Sequence, residues 1–179
     1  GQLAQQIHQS DNTAEDFGKP IMKLAYGAHQ VYFIASRGVS PVLDTDAHTL
    51  TFGSVRDTFW KMYTIDVTST TNVSRTVVMD RVVTRLRLTA TDEVPEGLAT
   101  VTITPAKWYN GVDYLTGEPA AEVVSTGRVV SVPSSYAGTS GDLIINVFGF
   151  SDDDFSTNID VVAKTTDGTP VGQASVANA

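Results

Sequence analysis

A chain of 179 residues with a formal net charge of -8 and no cysteine can bury a core, but it cannot form disulfides or thiolate metal sites. The negative charge disfavours nucleic acids and anionic lipid as partners, because both carry negative phosphates. The 23 threonines and 23 valines are β-branched residues that favour pleated strands, so the composition predicts an all-β fold.

The first part of the chain divides into a polar leader and a run of strands. Residues 1–24 are mostly polar and predict an N-terminal leader or tether, whereas residues 25–179 predict a single β-sandwich domain. A first strand is predicted at 29–36, where apolar side chains fall on both faces. Further strands are predicted at 48–52, 58–68 and 75–79, separated by glycine-, serine- and asparagine-containing turns.

The clearest pattern lies between Val77 and Ile103. Apolar side chains alternate with polar ones, and only an extended chain converts such a period of two into two faces. The inward residues are Val82, Leu86, Leu88 and Ala90, and the outward residues include Arg81, Arg85 and Arg87. A turn at 92–97 predicts an antiparallel pair with a strand at 98–103. In so acidic a chain, we expect the arginines to pair with carboxylates on neighbouring strands.

Proline, Asn-Gly and Thr-Gly punctuate residues 104–119 and predict a loop or excursion rather than a strand. Three aromatic side chains of this segment form a candidate ligand or partner surface, because amphipathic rings serve well at binding surfaces: Trp108, Tyr109 and Tyr114. The alternative is that the loop folds back and buries its rings against the sandwich.

The last third of the chain predicts further strands at 127–133 and 142–150, followed by a hairpin. Asp167-Gly168 separates alternating segments at 159–165 and 171–176, and this dipeptide is a strong hairpin signal. The whole pattern indicates an antiparallel β-sandwich of about nine or ten strands.

No pattern of catalytic residues stands out. The chain contains three histidines, His8, His29 and His48, but no Gly-x-Ser-x-Gly nucleophile elbow accompanies them. Ordinary leader and strand-edge histidines are the favoured interpretation, so we expect no enzyme activity and no catalytic residue.

Oxygen-bearing side chains cluster near residue 155 and resemble part of a calcium loop: Asp152, Asp154, Asn158 and Asp160. The glycine at the sixth position and the closing glutamate of an EF-hand are absent. A solvated acidic turn is the favoured interpretation, and we expect no metal and no cofactor.

An ordered set of short motifs resembles the fimbrillin-type subunits of type V pili, a Bacteroidales-like superfamily, and is closest to their anchor and accessory subunits. The motifs are Asp57-Thr58-Phe59-Trp60, Val77-x-Met79-Asp80-Arg81-Val82-Val83-x-x-Leu86-x-Leu88, Asp92-Glu93-Val94-Pro95, Trp108-Tyr109-Asn110-Gly111 and Leu115-Thr116-Gly117. The resemblance covers about residues 25–179.

The resemblance implies a transthyretin-like β-sandwich that is exported and attached to the outer membrane, at the cell surface, through a lipidated cysteine upstream of the given sequence. It implies no enzyme activity. Its implied partners are other pilus subunits and, for an adhesin, a host protein or glycan. Such subunits assemble by strand donation, in which main-chain hydrogen bonds give affinity and side-chain pockets give register. The last strand would be the candidate strand-exchange edge, through Val171, Ala174 and Val176.

Two functions are therefore expected. The first is a cell-surface structural protein, either a fimbrial accessory or anchor subunit or an adhesin. The alternative is a surface glycan-binding module that uses Trp108, Tyr109 and Tyr114.

Overall fold

The alternating, β-branched sequence forms thirteen strands in a computed structural model that describes residues 5–68, 72–124, 127–151 and 157–177, with the backbone alone at 121–124. In chain order the strands are β1 (Gly27–Ser36), β2 (Val39–Asp44), β3 (Thr49–Ser54), β4 (Thr58–Val67), β5 (Asp80–Arg81), β6 (Thr84–Thr89), β7 (Leu98–Pro105), β8 (Lys107–Asp113), β9 (Pro119–Val124), β10 (Arg128–Ser131), β11 (Ile144–Gly149), β12 (Ile159–Thr165) and β13 (Pro170–Val176). Within these ranges there is no α-helix, only a 3-10 turn at Ser134–Tyr136. The predicted all-β fold is confirmed, with more strands than expected.

The described strands form four sheets, and every pairing between them is antiparallel. Their orders are β1-β4-β5, β2-β3-β8-β9, β11-β6 and β10-β7-β12-β13. The hairpin predicted near the C-terminus is present as β12 and β13. The transthyretin-like topology stays a prediction.

The first of two cores lies between the β11-β6 sheet and the β10-β7-β12-β13 sheet. Ile103 of β7 is fully buried there, and a side chain of this size contributes about 1.5–3 kcal/mol when buried. The buried members of this first core are Val94, Val101, Ile103, Val132, Leu143, Ile145, Val147 and Ile159. The inward residues predicted for β6, Leu86 and Leu88, pack against it.

The second core joins the β2-β3-β8-β9 sheet to the segments that flank β6 and β11. Its buried members are Phe52, Val55, Val83, Val112 and Phe150. The rings of Phe52 and Phe150 stack with centroids 6.0 Å apart and planes inclined by 21°. Residues that precede β6 and follow β11 thus belong to a different core from the strands themselves.

The predicted antiparallel pairing of residues 77–91 with 98–103 is wrong. β6 pairs with β11, and β7 pairs with β10 and β12, so the two strands belong to different sheets that share the first core. The connection carries the chain across that core because Val94 is buried within it. Its N–H donates to the carbonyl of Thr139 over 2.9 Å, and its carbonyl accepts from the N–H of Gly138 over 2.8 Å.

Three other expectations are corrected. Residues 75–79 form no strand, since β5 comprises only Asp80–Arg81. Two strands were not expected, β2 and β9, and both are edges of the sheet that contains β3 and β8. Pro41 and Pro119 lie in these two edge strands, where a missing N–H can be tolerated.

Residues 5–26 contain turns but no strand or helix. One turn is held by the N–H of Phe17, which donates to the carbonyl of Ala14 over 3.0 Å. The N–H of Gly18 donates to Oε1 of Gln9 over 2.9 Å. The division into a leader and a single domain stays a prediction.

The alternation predicted for β6 is confirmed, but the three arginines of the predicted outward face, Arg81 of β5 and Arg85 and Arg87 of β6, do not all pair with carboxylates. Arg81 pairs with Asp57 through two contacts, Nε to Oδ1 at 2.9 Å and Nη2 to Oδ2 at 3.0 Å. Arg87 lies opposite Asn146 of β11, and Arg85 lies opposite Phe148. Among the described residues, neither Arg85 nor Arg87 forms an ion pair, so the expected pairing is observed there for Arg81 alone of the three arginines.

Leu86 and Arg87 test the two faces of β6. Leu86→Asp should lower the free energy of unfolding by more than the roughly 1.5–3 kcal/mol of a buried leucine, because it also places an unpaired carboxylate against the first core. Arg87→Ser, on the exposed face, should change it by less than about 0.5 kcal/mol. Urea denaturation of both variants provides the measurement, and equal losses would show that the faces are misassigned.

Candidate functional site

The aromatic segment 104–119 is not the predicted loop. Its central part is strand β8, which lies between β3 and β9, and its two ends belong to β7 and β9. Asn110-Gly111 is a turn signal in the sequence, yet here it continues the strand. A Cβ at Gly111 would lie 2.9 Å from the carbonyl oxygen of Leu50 and 3.3 Å from that of Ala120. The glycine is therefore required by the close approach of both neighbouring strands and not by a turn.

Trp108 was predicted to lie on a ligand surface, but the structure places it in the interior, with 5% of its surface exposed. Its indole covers the backbone of Gly149, and an ideal Cβ at that glycine would lie 0.7 Å from Nε1 of Trp108. The Arg128 guanidinium carbon lies 5.4 Å from the Trp108 ring centroid. Trp108 thus packs β8 against β11.

Tyr109 and Tyr114 are half-buried and have different neighbours. Tyr109 packs against the second core, and Nζ of Lys107 lies 5.2 Å from its ring centroid. Tyr114 makes edge-to-face contacts with Tyr32 at 6.1 Å and with His48 at 5.7 Å between centroids. Burial of the Tyr114 phenol raises its pKa, and neighbouring carboxylates add to this effect.

These three rings do not form one platform. Trp108 and Tyr109 point to opposite sides of β8, because successive side chains of a strand alternate. Tyr109 lies within β8, whereas Tyr114 lies in the turn that follows it, where it packs on Tyr32 and His48. Glycan binding by the three rings together is therefore not supported by their arrangement.

The predicted strand-exchange residues lie in β13, the last strand of the β10-β7-β12-β13 sheet. Every residue from Pro170 to Val176 is exposed, on both faces of the strand. Val171 is 42% exposed and Val176 is 45% exposed, and Ala174 is also exposed. Among the described residues, β13 pairs with β12 alone, so one side of its backbone has no neighbouring strand.

Local contacts hold β13 against β12. The Asp167 carboxylate accepts hydrogen bonds from the hydroxyl of Thr165 and from the N–H of Thr169, the latter over 3.1 Å. Gly168 has φ of +86°, a left-handed conformation that glycine adopts at no steric cost. Ser175 donates to Oδ1 of Asp160 across the pair over 2.6 Å. The turn at 165–169 and the pairing with β12 therefore hold β13 in place, although neither core packs against it.

The histidines occupy three separate places. His8 is exposed, His29 lies in β1 with Nε2 2.9 Å from the carbonyl of Ala25, and His48 packs on Tyr114. Of the calcium-like set, Asp152 and Asp154 lie outside the described residues, and Asp160 accepts the bond from Ser175. No group of three potential metal ligands occurs in the parts of the chain that the structure describes.

Arg128 is a candidate functional residue that the sequence patterns did not single out. It lies in β10 on the same face as Val130 and Val132, which pack in the first core. Its signal is a charged residue at an inward position of an alternating strand, where an apolar side chain is expected.

No protein-family model and no curated protein matches the chain. A similar solved structure is that of a candidate adhesin from Bacteroides ovatus, with a TM-score of 0.54 and 15% sequence identity. The match covers 87% of this chain and 66% of that protein, so the chain spans slightly less than two thirds of its length. At this identity the likeness shows a shared fold. No helix in the described ranges is long and apolar enough to cross a membrane.

Gly149 should not tolerate a side chain. Gly149→Ala is expected to destabilise the protein by about 2–3 kcal/mol, because a methyl group would collide with the buried indole of Trp108. Gly172→Ala is the matched strand control, since its Cβ would lie 3.9 Å from that of Ala163, an ordinary contact. Chemical denaturation compares them, and similar losses at both positions would contradict the Trp108 packing.

The β12–β13 turn should respond to acid. Hydrogen bonds from Thr165 and Thr169 lower the pKa of Asp167 below its ordinary value of 3.8. A carboxyl with a lowered folded pKa stabilises the fold above its unfolded pKa, and this contribution disappears as the pH falls through the folded value. We therefore expect amide protection in β13 to decrease below about pH 3.8, more than in the β1–β4 pair.

Hydrogen exchange followed by NMR measures this effect, with Asp167→Asn as the control that lacks the titrating group. If the β13 amides of Asp167→Asn showed the same acid-dependent loss of protection as the original chain, Asp167 would not be responsible.

Proposed function

We propose that the chain is a cell-surface structural protein of the adhesive type, an accessory or anchor subunit of a fimbrium, which joins a partner subunit by β-strand addition along β13. The observation that carries this proposal is the exposure of all seven residues of β13 on both faces. The proposal includes no enzymatic step and no cofactor.

An exposed strand edge normally carries features that prevent pairing with another chain. Charged side chains, prolines within the strand and bulges are the usual ones. β13 reads Pro-Val-Gly-Gln-Ala-Ser-Val: it has no charged residue, and its proline stands at the first position. Its one irregularity in register lies at Val171, next to that proline, and residues 172–176 pair regularly with β12. Val171 and Val176 are both exposed, so an added strand could gain apolar contact with either side chain. These properties suit an edge that accepts a strand.

Strand addition supplies affinity through main-chain hydrogen bonds and register through alternating side chains. The motifs that resemble fimbrillin-type subunits support this mode of assembly, and a fold shared with a candidate adhesin is consistent with a role at the cell surface. β13 would pair with an extended segment of a partner subunit that carries small and apolar side chains. Lipid anchorage to the outer membrane belongs to the same proposal.

The test is made in the bacterium that produces the protein. Val171→Lys with Val176→Lys should remove the chain from fimbriae sheared off intact cells, because charges on an edge strand oppose pairing. Val78→Lys is the matched control, since Val78 is 72% exposed and lies outside every described strand. Quantitative immunoblots of the sheared fraction and of whole cells give the measurement.

Three outcomes separate the parts of the proposal. Loss from the sheared fraction in the β13 variant, with Val78→Lys unaffected, supports strand addition. Equal amounts of the β13 variant and of Val78→Lys in the sheared fraction would refute strand addition without contradicting a surface location. If surface-specific biotinylation failed to label the chain on intact cells, the cell-surface role itself would be wrong.

A further inference from the structure

Arg128 is held at the rim of the first core and close to a second arginine. Its strand alternates, with Val129 exposed at 65% and Val130 packed inward. The partial burial of the guanidinium lowers its pKa, and the charge of Arg56 adds to this effect. Two like charges near one another are unfavourable without an anion between them.

Two contacts fix the Arg128 side chain. One Nη1–H donates to the carbonyl of Phe148, which joins β10 to β11 across the seam between their sheets. The guanidinium also lies over the ring of Trp108. A guanidinium has five N–H donors, so the bond to Phe148 leaves donors that can bind a ligand. Neither Arg128 nor Arg56 forms an ion pair with a carboxylate of the described residues.

Both arginines line a cavity of about 370 Å³ at this seam. The cavity lies between residues 52–56, β8, β10 and β11, and Asn110 and Asn146 contribute amide groups to its walls. Its described lining contains no aspartate or glutamate, although the chain carries a net charge of -8. Its volume is within the range of small-ligand sites, roughly 300–1,000 Å³.

We infer that this cavity binds a small organic anion through a carboxylate group held by Arg128 and Arg56. A planar guanidinium matches a carboxylate with two parallel hydrogen bonds, and a site partly shielded from water strengthens them. An anion would also relieve the repulsion between the two arginines. The carboxylate could come from an acidic sugar or from the C-terminus of a peptide, and both present the same group. The site is separate from β13 and does not depend on the proposed function.

Isothermal titration calorimetry on the intact chain tests the inference with two acids and their neutral counterparts. Galacturonate is compared with galactose, and N-acetylalanine with N-acetylalanine amide. At least one acid should bind with a Kd in the millimolar range or tighter, its neutral counterpart at least about tenfold more weakly, and added salt should weaken the binding. Binding by one acid alone supports the inference and identifies the source of the carboxylate.

Variants then assign the binding to the two arginines. Arg56→Gln and Arg128→Gln should each raise the Kd for the acid by at least about tenfold. Arg87→Gln removes an exposed charge outside the cavity lining and should change this Kd by less than about twofold. Circular dichroism checks that each variant folds. Because Arg56 is exposed and outside both cores, Arg56→Gln decides the result if Arg128→Gln unfolds. The inference is overturned if neither acid binds, if the neutral compounds bind equally well, or if Arg56→Gln binds like the original chain.

Discussion

The packing of the Trp108 indole on the backbone of Gly149 is the contact on which the arrangement of the sheets depends. It fixes β8 of the β2-β3-β8-β9 sheet against β11 of the β11-β6 sheet. One residue further along each strand, the N–H of Phe150 donates to the carbonyl of Tyr109 over 3.3 Å, and Phe150 then stacks on Phe52 in the second core. β11 also contributes to the first core. Because Gly149 has no side chain, the strand that carries Phe150 into the second core can pack directly against Trp108.

Local patterns in the sequence predicted the strands better than their partners. The alternation in β6 and the Asp-Gly turn between β12 and β13 are local properties, so both could be inferred from neighbouring residues. The pairing of β6 with β11 could not, because the 92–97 turn is compatible with a hairpin and with a crossing between sheets. The crossing is selected by Val94, whose backbone bonds go to residues more than forty positions later. Long-range contacts of this kind leave no local signature.

The candidate sites also depend on long-range contacts that local sequence patterns do not predict. Asn110-Gly111 indicated a turn, and only the positions of Leu50 and Ala120 show that the glycine serves close packing between strands. The aromatic surface was inferred from that supposed loop, and the burial of Trp108 within β8 removes one of its three rings. The position of β13 followed from the Asp-Gly turn and from its place as the second strand of the last hairpin, both visible in the sequence. Arg128 had a signal, a charge at an inward position, but the cavity beside it is formed by four separate segments.

The two terminal strands of the β10-β7-β12-β13 sheet have opposite surroundings, and this asymmetry bears on how the protein can associate. β10 lies at the seam with β11, where the bond from Arg128 to the Phe148 carbonyl links the two sheets. β13 has β12 as its neighbour and no covering residue from either core. The proposed strand addition would therefore extend this sheet at β13, whose residues are all exposed, rather than at β10. Since the arginine-lined cavity lies at the β10 end, β7 and β12 separate it from the β13 edge, so an anion bound there would not compete with a partner strand.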